Sequence, residues 1–376
     1  MAVALVNGRA RVGLVAVFAA GVGLGSGLSA GGCQDACEPP PEFGLGEPTA
    51  WEQAFLDGGG LPPSPPPSQT LAEDGLALVH YEWIPAGWTG EGPAVVFVHG
   101  SSAHAALYSL IGQTLADEGV YARLIDLRGH GRSVCLAEDA CGDPSGPRSF
   151  VDDGRYWAGR PGDSADPDQI VRDLRQHLDE VRAAWPEAPL FVAGHSSGGG
   201  VVSRMVATGG MAGLSGAMLL APFNHPEQPQ NELGSWDCGR VVGTDYAHVH
   251  LPVLGAARRG EVHRYTLSFH KPPEYADPLD TLWNSYTTAQ GMAAPDPESF
   301  HAAFTQPTLW VVGEQDALFD LDASRAEHAR MPGAAAFVVV EDTSHVGISW
   351  SAGTARLLAD FAKDPASVAA GTISPG

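Results

Sequence analysis

LFVAGHSSGGGVV, residues 190–202, places two adjacent serines between an apolar run and a run of glycines. Taken alone, such a stretch also fits a flexible Gly/Ser loop. The pentapeptide GHSSG, however, matches G-x-S-x-G, the pattern of a sharp strand-to-helix turn that exposes a serine hydroxyl. Residues two positions from that serine must be small, because strand and helix approach closely there. Ser196 has glycine at both positions, whereas Ser197 would have His195 behind it, so Ser196 is the candidate nucleophile.

A base and an orienting carboxylate are needed before a serine hydroxyl becomes nucleophilic. The predicted strand TLWVVGE leads into Asp316, and the predicted strand AFVVVED leads into His345. Both residues therefore fall at the carboxyl ends of strands, where active sites collect in open α/β sheets. The chain order of Ser196, Asp316 and His345 is also the order expected in the fold type that has such a strand-to-helix turn. Asp320 is the nearest rival acid, but Asp316 follows the strand more directly.

Short apolar strands alternate with amphipathic helical segments from about residue 73 onward, as in the helix predicted for residues 168–185. This alternation predicts an α/β fold with a mostly parallel sheet and helices on both faces. Residues 223–305 lie between the sixth and seventh strands and are too many for a single crossover. We interpret them as a cap inserted over the sheet, which leaves residues 73–222 and 306–376 as the two parts of the core.

The first 32 residues have the layout of a signal sequence for export. Arg9 and Arg11 precede an uncharged run that ends in small residues, although a run of this length could also anchor the chain in a bilayer. SAGGC, which ends at Cys33, resembles a bacterial lipoprotein signal in which the cysteine becomes lipidated. Residues 33–72 are rich in Pro and Gly and are predicted to form a linker or loosely packed arm. We expect an exported protein that is either secreted or tethered to the cell envelope through Cys33.

Five cysteines are consistent with an oxidising compartment. Cys135 and Cys141 close a short loop and form the disulfide that we expect, although sequence alone does not fix connectivity. No cysteine pair has the CxxC spacing of a structural zinc site. His248 and His250 would share one face of a strand, but no third ligand follows at a convincing spacing, so no metal is expected. The formal net charge of −23 argues against a nucleic-acid partner.

Several blocks of the chain together resemble the α/β-hydrolase superfamily over roughly residues 75–365. They are VFVHGSS (96–102), DLRGHGRS (126–133), GHSSGG (194–199), GEQD (313–316) and SHVG (344–347). The spacing of these blocks and the long insertion look most like the branch of monoacylglycerol lipases, lysophospholipases and serine aminopeptidases. The resemblance implies that DLRGHGRS has a structural role. It also implies that the backbone N–H groups of Ser101 and Ser197 form an oxyanion hole.

By this resemblance the protein is a serine hydrolase that cleaves a carboxylic ester, from a small molecule or a lipid, through an acyl-enzyme and without a cofactor. Peptidase, thioesterase and cofactor-free haloperoxidase activities use the same triad and stay open, as does a non-catalytic binding protein of the same fold. Haloalkane dehalogenases and epoxide hydrolases are disfavoured, because they have Asp where this chain has Ser196. The acyl-chain length, the physiological substrate and the oligomeric state are not predicted.

Overall fold

The computed structural model of the chain describes residues 47–137, 140–141, 152–231, 236–237, 241–243, 246–271, 275–298 and 300–376. The predicted signal sequence and Cys33 lie outside these residues. Among the helices that fall within them, none has the length and apolar character needed to cross a membrane.

Strands and helices alternate along most of the described chain. The strands are β1 (Ser68–Leu71), β2 (Ala77–Trp83), β3 (Ala94–Val98), β4 (Tyr121–Ile125), β5 (Cys135–Ala137), β6 (Ala140–Cys141), β7 (Leu190–His195), β8 (Gly216–Leu220), β9 (Trp236–Asp237), β10 (Val241–Gly243), β11 (Ala247–His250), β12 (Tyr265–Phe269), β13 (Trp283–Ser285), β14 (Thr308–Gly313), β15 (Ala334–Val340) and β16 (Gly371–Ile373). The helices are α1 (Ala50–Asp57), α2 (Ser109–Asp117), α3 (Gln169–Ala184), α4 (Ser197–Gly209), α5 (Leu251–Ala257), α6 (Tyr286–Gly291), α7 (Leu321–His328) and α8 (Ala352–Lys363).

Nine strands form one central sheet in the order β1-β2-β4-β3-β7-β8-β14-β15-β16. From β4 to β16 every neighbouring pair is parallel, and β1 and β2 add an antiparallel edge. Alternate residues of β3 face opposite sides of the sheet: Val96 packs in the apolar cluster that contains α3 and α4, and Phe97 packs in the cluster that contains α2 and α8. The predicted fold, a mostly parallel sheet covered by helices on both faces, is confirmed.

A second sheet forms within residues 223–305, the segment interpreted as a cap. Its five antiparallel strands run in the order β13-β12-β11-β10-β9. Tyr246 and Phe269 from this segment are in contact, with ring centroids 5.4 Å apart and ring planes tilted by 44°. The segment thus has a sheet of its own, which its sequence did not reveal because the strands are short and interrupted. The domain boundaries themselves stay a prediction.

Part of the predicted linker at residues 33–72 has regular structure that the sequence analysis missed. The eight-residue helix α1 packs on the core through Phe55, whose ring lies 5.8 Å from that of Trp350. Strand β1 pairs with β2, with Ser68 opposite His80. The Pro- and Gly-rich flanks dominate the composition of this segment and conceal a short helix whose partners lie almost 300 residues away.

Cys135 and Cys141 are joined by a disulfide across the β5–β6 hairpin.

The turn DLRGHGRS follows β4 and is held by buried charged side chains. Asp126 accepts hydrogen bonds from the N–H groups of Ala105 (2.7 Å) and Arg132 (2.8 Å). Arg128 is itself buried and pairs with Asp173 at 2.8 Å. The turn thereby ties the segment after β3 to the end of the sheet, in keeping with the structural role that the resemblance implies.

The turn from β7 to α4 decides where Ser196 points. Ser196 has φ +52° and ψ −122°, a left-handed backbone conformation that is rare for a residue with a side chain. A Cβ atom on Gly198 would lie 2.3 Å from the carbonyl oxygen of Val98, and one on Gly194 would lie 2.5 Å from the backbone of Gly198. The glycines of the pentapeptide are therefore required by the close approach of β3, β7 and α4.

We expect Gly198→Ala to destabilise the protein by about 1–3 kcal/mol or more, because its methyl group would meet fixed backbone oxygens. Thermal unfolding of the purified protein measures the effect. Gly371→Ala is the matched control, since a Cβ there meets nothing within 4 Å. Equal melting temperatures for the two variants would contradict the packing argument.

Candidate active site

Ser196, His345 and Asp316 lie in one chain of hydrogen bonds, although up to 149 residues separate them in sequence. Ser196 Oγ lies 3.0 Å from His345 Nε2, and His345 Nδ1 lies 2.8 Å from Asp316 Oδ2. The imidazole can accept a proton from the hydroxyl at one nitrogen while its other N–H donates to the carboxylate. The side chains of His345 and Asp316 are each 3% exposed, so both groups are shielded from water.

Asp316 is held so that one carboxylate oxygen faces His345. Its other oxygen, Oδ1, accepts hydrogen bonds from the N–H groups of Leu318 (2.8 Å) and Phe319 (3.1 Å). Asp320, the rival acid of the sequence analysis, instead accepts from the N–H of Ala323 at 2.6 Å at the start of α7. The structure therefore brings Asp316 to His345 and uses Asp320 as a helix cap.

The predicted oxyanion-hole residues, Ser101 and Ser197, line the same cavity as Ser196. Ser197 is the first residue of α4, where backbone N–H groups and the helix dipole favour negative charge. Ser101 follows β3, and its hydroxyl shares a hydrogen bond with the hydroxyl of Ser197. Tyr246 OH donates to the carbonyl oxygen of Ser101 at 3.0 Å, which fixes the peptide group after Ser101. Ser102, next in the chain, has φ +53°.

Sequence reasoning missed a buried polar bridge that joins three of these segments. The N–H of Gly100 donates to Tyr108 OH at 3.0 Å, and Tyr108 OH donates to His195 Nδ1 at 2.8 Å. His195 Nε2 then donates to the carbonyl oxygen of His345 at 3.0 Å. Burial lowers the pKa of His195 well below its ordinary value, so the ring is neutral and has one donor and one acceptor nitrogen, as the bridge requires. No local sequence pattern predicts this bridge.

Two cavities meet at Ser196. The larger has a volume of about 300 Å³ and the smaller about 60 Å³, and Ser101, Ser196 and Tyr246 line both. His345 lines the smaller cavity. The larger cavity is mostly apolar, with side chains of Phe223, Val249, Leu267, Phe269, Leu318 and Phe319, and has His225, Glu227 and Gln290 as polar members. An apolar cavity with few polar groups is typical of a small-molecule site.

The two histidines considered as a metal pair have other contacts. His250 Nε2 lies 2.8 Å from Ser268 Oγ, and the ring of His248 lies 4.2 Å from that of His270. Within the part of the chain that the structure describes, no group of three or more His, Cys, Asp or Glu side chains is arranged to hold a metal ion.

Comparisons with known proteins give matches to part of the chain. Residues 92–266 match the family described as Serine aminopeptidase, S33. The monoglyceride lipase of Rattus norvegicus is 31% identical over 151 residues, which is 40% of this chain and 41% of that protein. The monoacylglycerol lipase of Mycolicibacterium smegmatis is 29% identical over 128 residues, covering 34% of this chain and 36% of that protein. The chain thus spans about two fifths of the rat protein's length.

Among solved structures, a soluble variant of monoglyceride lipase from Saccharomyces cerevisiae, in complex with a substrate analog, has a similar fold. Its TM-score is 0.56 at 14% sequence identity, over 81% of this chain and 96% of that one. At this identity the likeness is one of fold. The likeness covers a larger share of the chain than the family match, which spans residues 92–266.

If Ser196, His345 and Asp316 act together, a fluorophosphonate probe will label Ser196. Ser196→Ala abolishes labelling, and Asp316→Asn slows it by roughly three to four orders of magnitude, because the amide holds the wrong imidazole tautomer. Asp320→Asn is the matched control and keeps its rate within about twofold, since it preserves the helix cap. Mass spectrometry of the labelled peptide measures both site and rate. Equal rates for Asp316→Asn and Asp320→Asn would contradict the assignment.

Proposed function

We propose that the chain is a lipase-like carboxylic ester hydrolase of the α/β-hydrolase type, which works through an acyl-enzyme on Ser196. The observation that carries the proposal is the hydrogen-bonded series of Ser196, His345 and Asp316 beside an apolar cavity of about 300 Å³. The similarity to the rat monoglyceride lipase supports an ester of a single acyl chain as the substrate.

In the proposed reaction Ser196 Oγ attacks the ester carbonyl carbon while its proton passes to His345 Nε2. Asp316 stabilises the resulting imidazolium, and the N–H groups of Ser101 and Ser197 stabilise the tetrahedral oxyanion. The ester C–O bond then breaks, and His345 returns the proton to the departing alcohol. Water attacks the acyl-enzyme and gives a proton to His345. Collapse of the second tetrahedral intermediate releases the carboxylic acid and restores the Ser196 hydroxyl.

The two cavities have different parts in this proposal. The general acid must reach the leaving oxygen, so the alcohol lies on the side that His345 lines, in the cavity of about 60 Å³. The acyl chain then occupies the larger, apolar cavity, where Leu267 and Phe269 contact it. This arrangement favours esters of small alcohols with extended acyl groups.

An amide-cleaving activity is the second candidate, because the family match is described as a serine aminopeptidase. Glu227 supports it physically, since it is the one carboxylate among the described residues that line the larger cavity and could pair with a substrate ammonium group. One absorbance assay decides between the two activities. Amino-acid p-nitroanilides report amide cleavage, and p-nitrophenyl esters report ester cleavage at about the same wavelength.

For p-nitrophenyl esters of graded acyl length, we expect kcat/KM to rise about fourfold per added methylene while the chain stays inside the cavity, and then to fall. Leu267→Trp narrows the cavity and shifts the best substrate to a shorter chain. Ile84→Trp adds the same bulk at an exposed position and leaves the profile unchanged. An unchanged profile for Leu267→Trp would remove the acyl chain from this cavity. Turnover of aminoacyl p-nitroanilides above that of esters would favour the peptidase.

Export is part of the proposal. Arg9, Arg11 and the uncharged run after them support a signal sequence, and the disulfide between Cys135 and Cys141 fits an oxidising compartment. We expect mass spectrometry of the mature protein to find a chain that has lost the signal sequence, and either begins at a lipid-modified Cys33 or has an unmodified N-terminus. Cys33→Ala should be secreted without lipid. An unmodified N-terminus beyond Cys33 would exclude the tether, and a chain that retains Met1 would exclude export by this signal.

A further inference from the structure

Helix α1 is hydrogen-bonded to the loop that carries His345. Two adjacent side chains of the helix reach this loop: Trp51 Nε1 donates to the carbonyl oxygen of Asp342 at 2.6 Å, and Glu52 Oε1 accepts from the N–H of Ser344 at 2.8 Å. The two contacts fall on either side of Thr343, and the second is at the residue directly before His345. The partners are 291 and 292 positions apart in sequence.

The loop that carries His345 has a strained backbone at Asp342. Asp342 has φ +46°, a left-handed conformation that costs free energy in a residue with a side chain. Contacts from the β14 side hold the loop as well: the N–H of Asp342 donates to Glu314 Oε2 at 2.9 Å, and the N–H of Gln315 donates to the carbonyl oxygen of Thr343 at 2.8 Å. The loop is thus held between α1 on one side and the end of β14 on the other.

The Glu52 carboxylate joins the start of α1 to the His345 loop, with one oxygen bonded to each. Its residue is 0% exposed, and its second oxygen accepts from the N–H of Thr49 at 2.8 Å. A buried carboxylate is costly unless hydrogen bonds satisfy it, and an apolar side chain would pack here without that cost. Gly347 makes the space, because a Cβ there would lie 1.5 Å from Glu52 Oε1. The loop and the helix are therefore fitted to each other from both sides.

We propose that Trp51 and Glu52 are positioning residues for His345, and that α1 is an integral part of the catalytic apparatus. The inference rests on the proposed function, in which His345 is the base. It adds a requirement that lies outside the family match, which begins at residue 92. Removal of either hydrogen bond loosens the segment that leads into His345, so the imidazole spends less time within reach of Ser196 Oγ.

The test compares Glu52→Ala and Trp51→Phe with Gln53→Ala, the matched control. Gln53 is an exposed residue of the same helix whose amide contacts Asp57 at 2.9 Å. On a p-nitrophenyl ester we expect kcat to fall about tenfold to a hundredfold in the first two variants, with KM within about twofold of wild type. Gln53→Ala keeps both constants. Trp51→Phe keeps an aromatic side chain in place of the indole and removes the N–H donor, so it decides the matter if Glu52→Ala does not fold.

A second measurement separates positioning from general stability and from the proposed activity. The proton between His345 Nδ1 and Asp316 gives a strongly downfield NMR signal, which we expect in the wild type and in Gln53→Ala, and expect to be shifted or broadened in Glu52→Ala and Trp51→Phe. Folded Glu52→Ala and Trp51→Phe proteins with wild-type kcat and an unchanged signal would overturn the proposal. If the wild type has no esterase activity that Ser196→Ala removes, the proposed function fails, and the signal alone then decides the positioning.

Discussion

The rest of the site depends on the left-handed turn at Ser196. Strand β7, helix α4 and the end of β3 meet there so closely that Gly194 and Gly198 have no room for a Cβ. Gly100 makes a similar approach, since a Cβ on it would lie 3.2 Å from the Cβ of Ser196. Because the turn is this sharp, the serine hydroxyl projects from the sheet and the N–H of Ser197 begins a helix beside it. Both the candidate nucleophile and one predicted oxyanion donor follow from a single packing constraint.

Buried polar groups then fix the segments around the turn. His195 and His99 are neutral because burial lowers the pKa of each well below its ordinary value. Each therefore has one donor and one acceptor nitrogen, and both nitrogens of each ring are hydrogen-bonded. His195 reaches the carbonyl of His345, and His99 accepts from the N–H of Leu127 at 3.0 Å. A network with its donors and acceptors paired is rigid, which suits a site that depends on hydrogen-bond distances near 3 Å.

The parts that could be predicted from sequence are those with a local cause. The choice of Ser196 over Ser197 needed only the glycine spacing, and Asp316 and His345 were found because each follows an apolar strand. The hydrogen bonds between α1 and the His345 loop could not be predicted, because Glu52 and Ser344 meet only after the whole sheet has folded. The hydrogen-bonded bridge through Tyr108 could not be predicted for the same reason. No periodicity in the sequence indicates that a tyrosine will form hydrogen bonds across three segments. The second sheet was missed because its strands have two to five residues.

The acyl-enzyme on Ser196 is the central claim of this account. Rapid acid quenching during turnover of a p-nitrophenyl ester, followed by mass spectrometry of the peptides, tests it most directly. The account predicts that the peptide containing Ser196 gains the mass of the acyl group, with an initial burst of about one p-nitrophenol per protein molecule. Turnover without any acylated peptide, or with the acyl group on a residue other than Ser196, would contradict it.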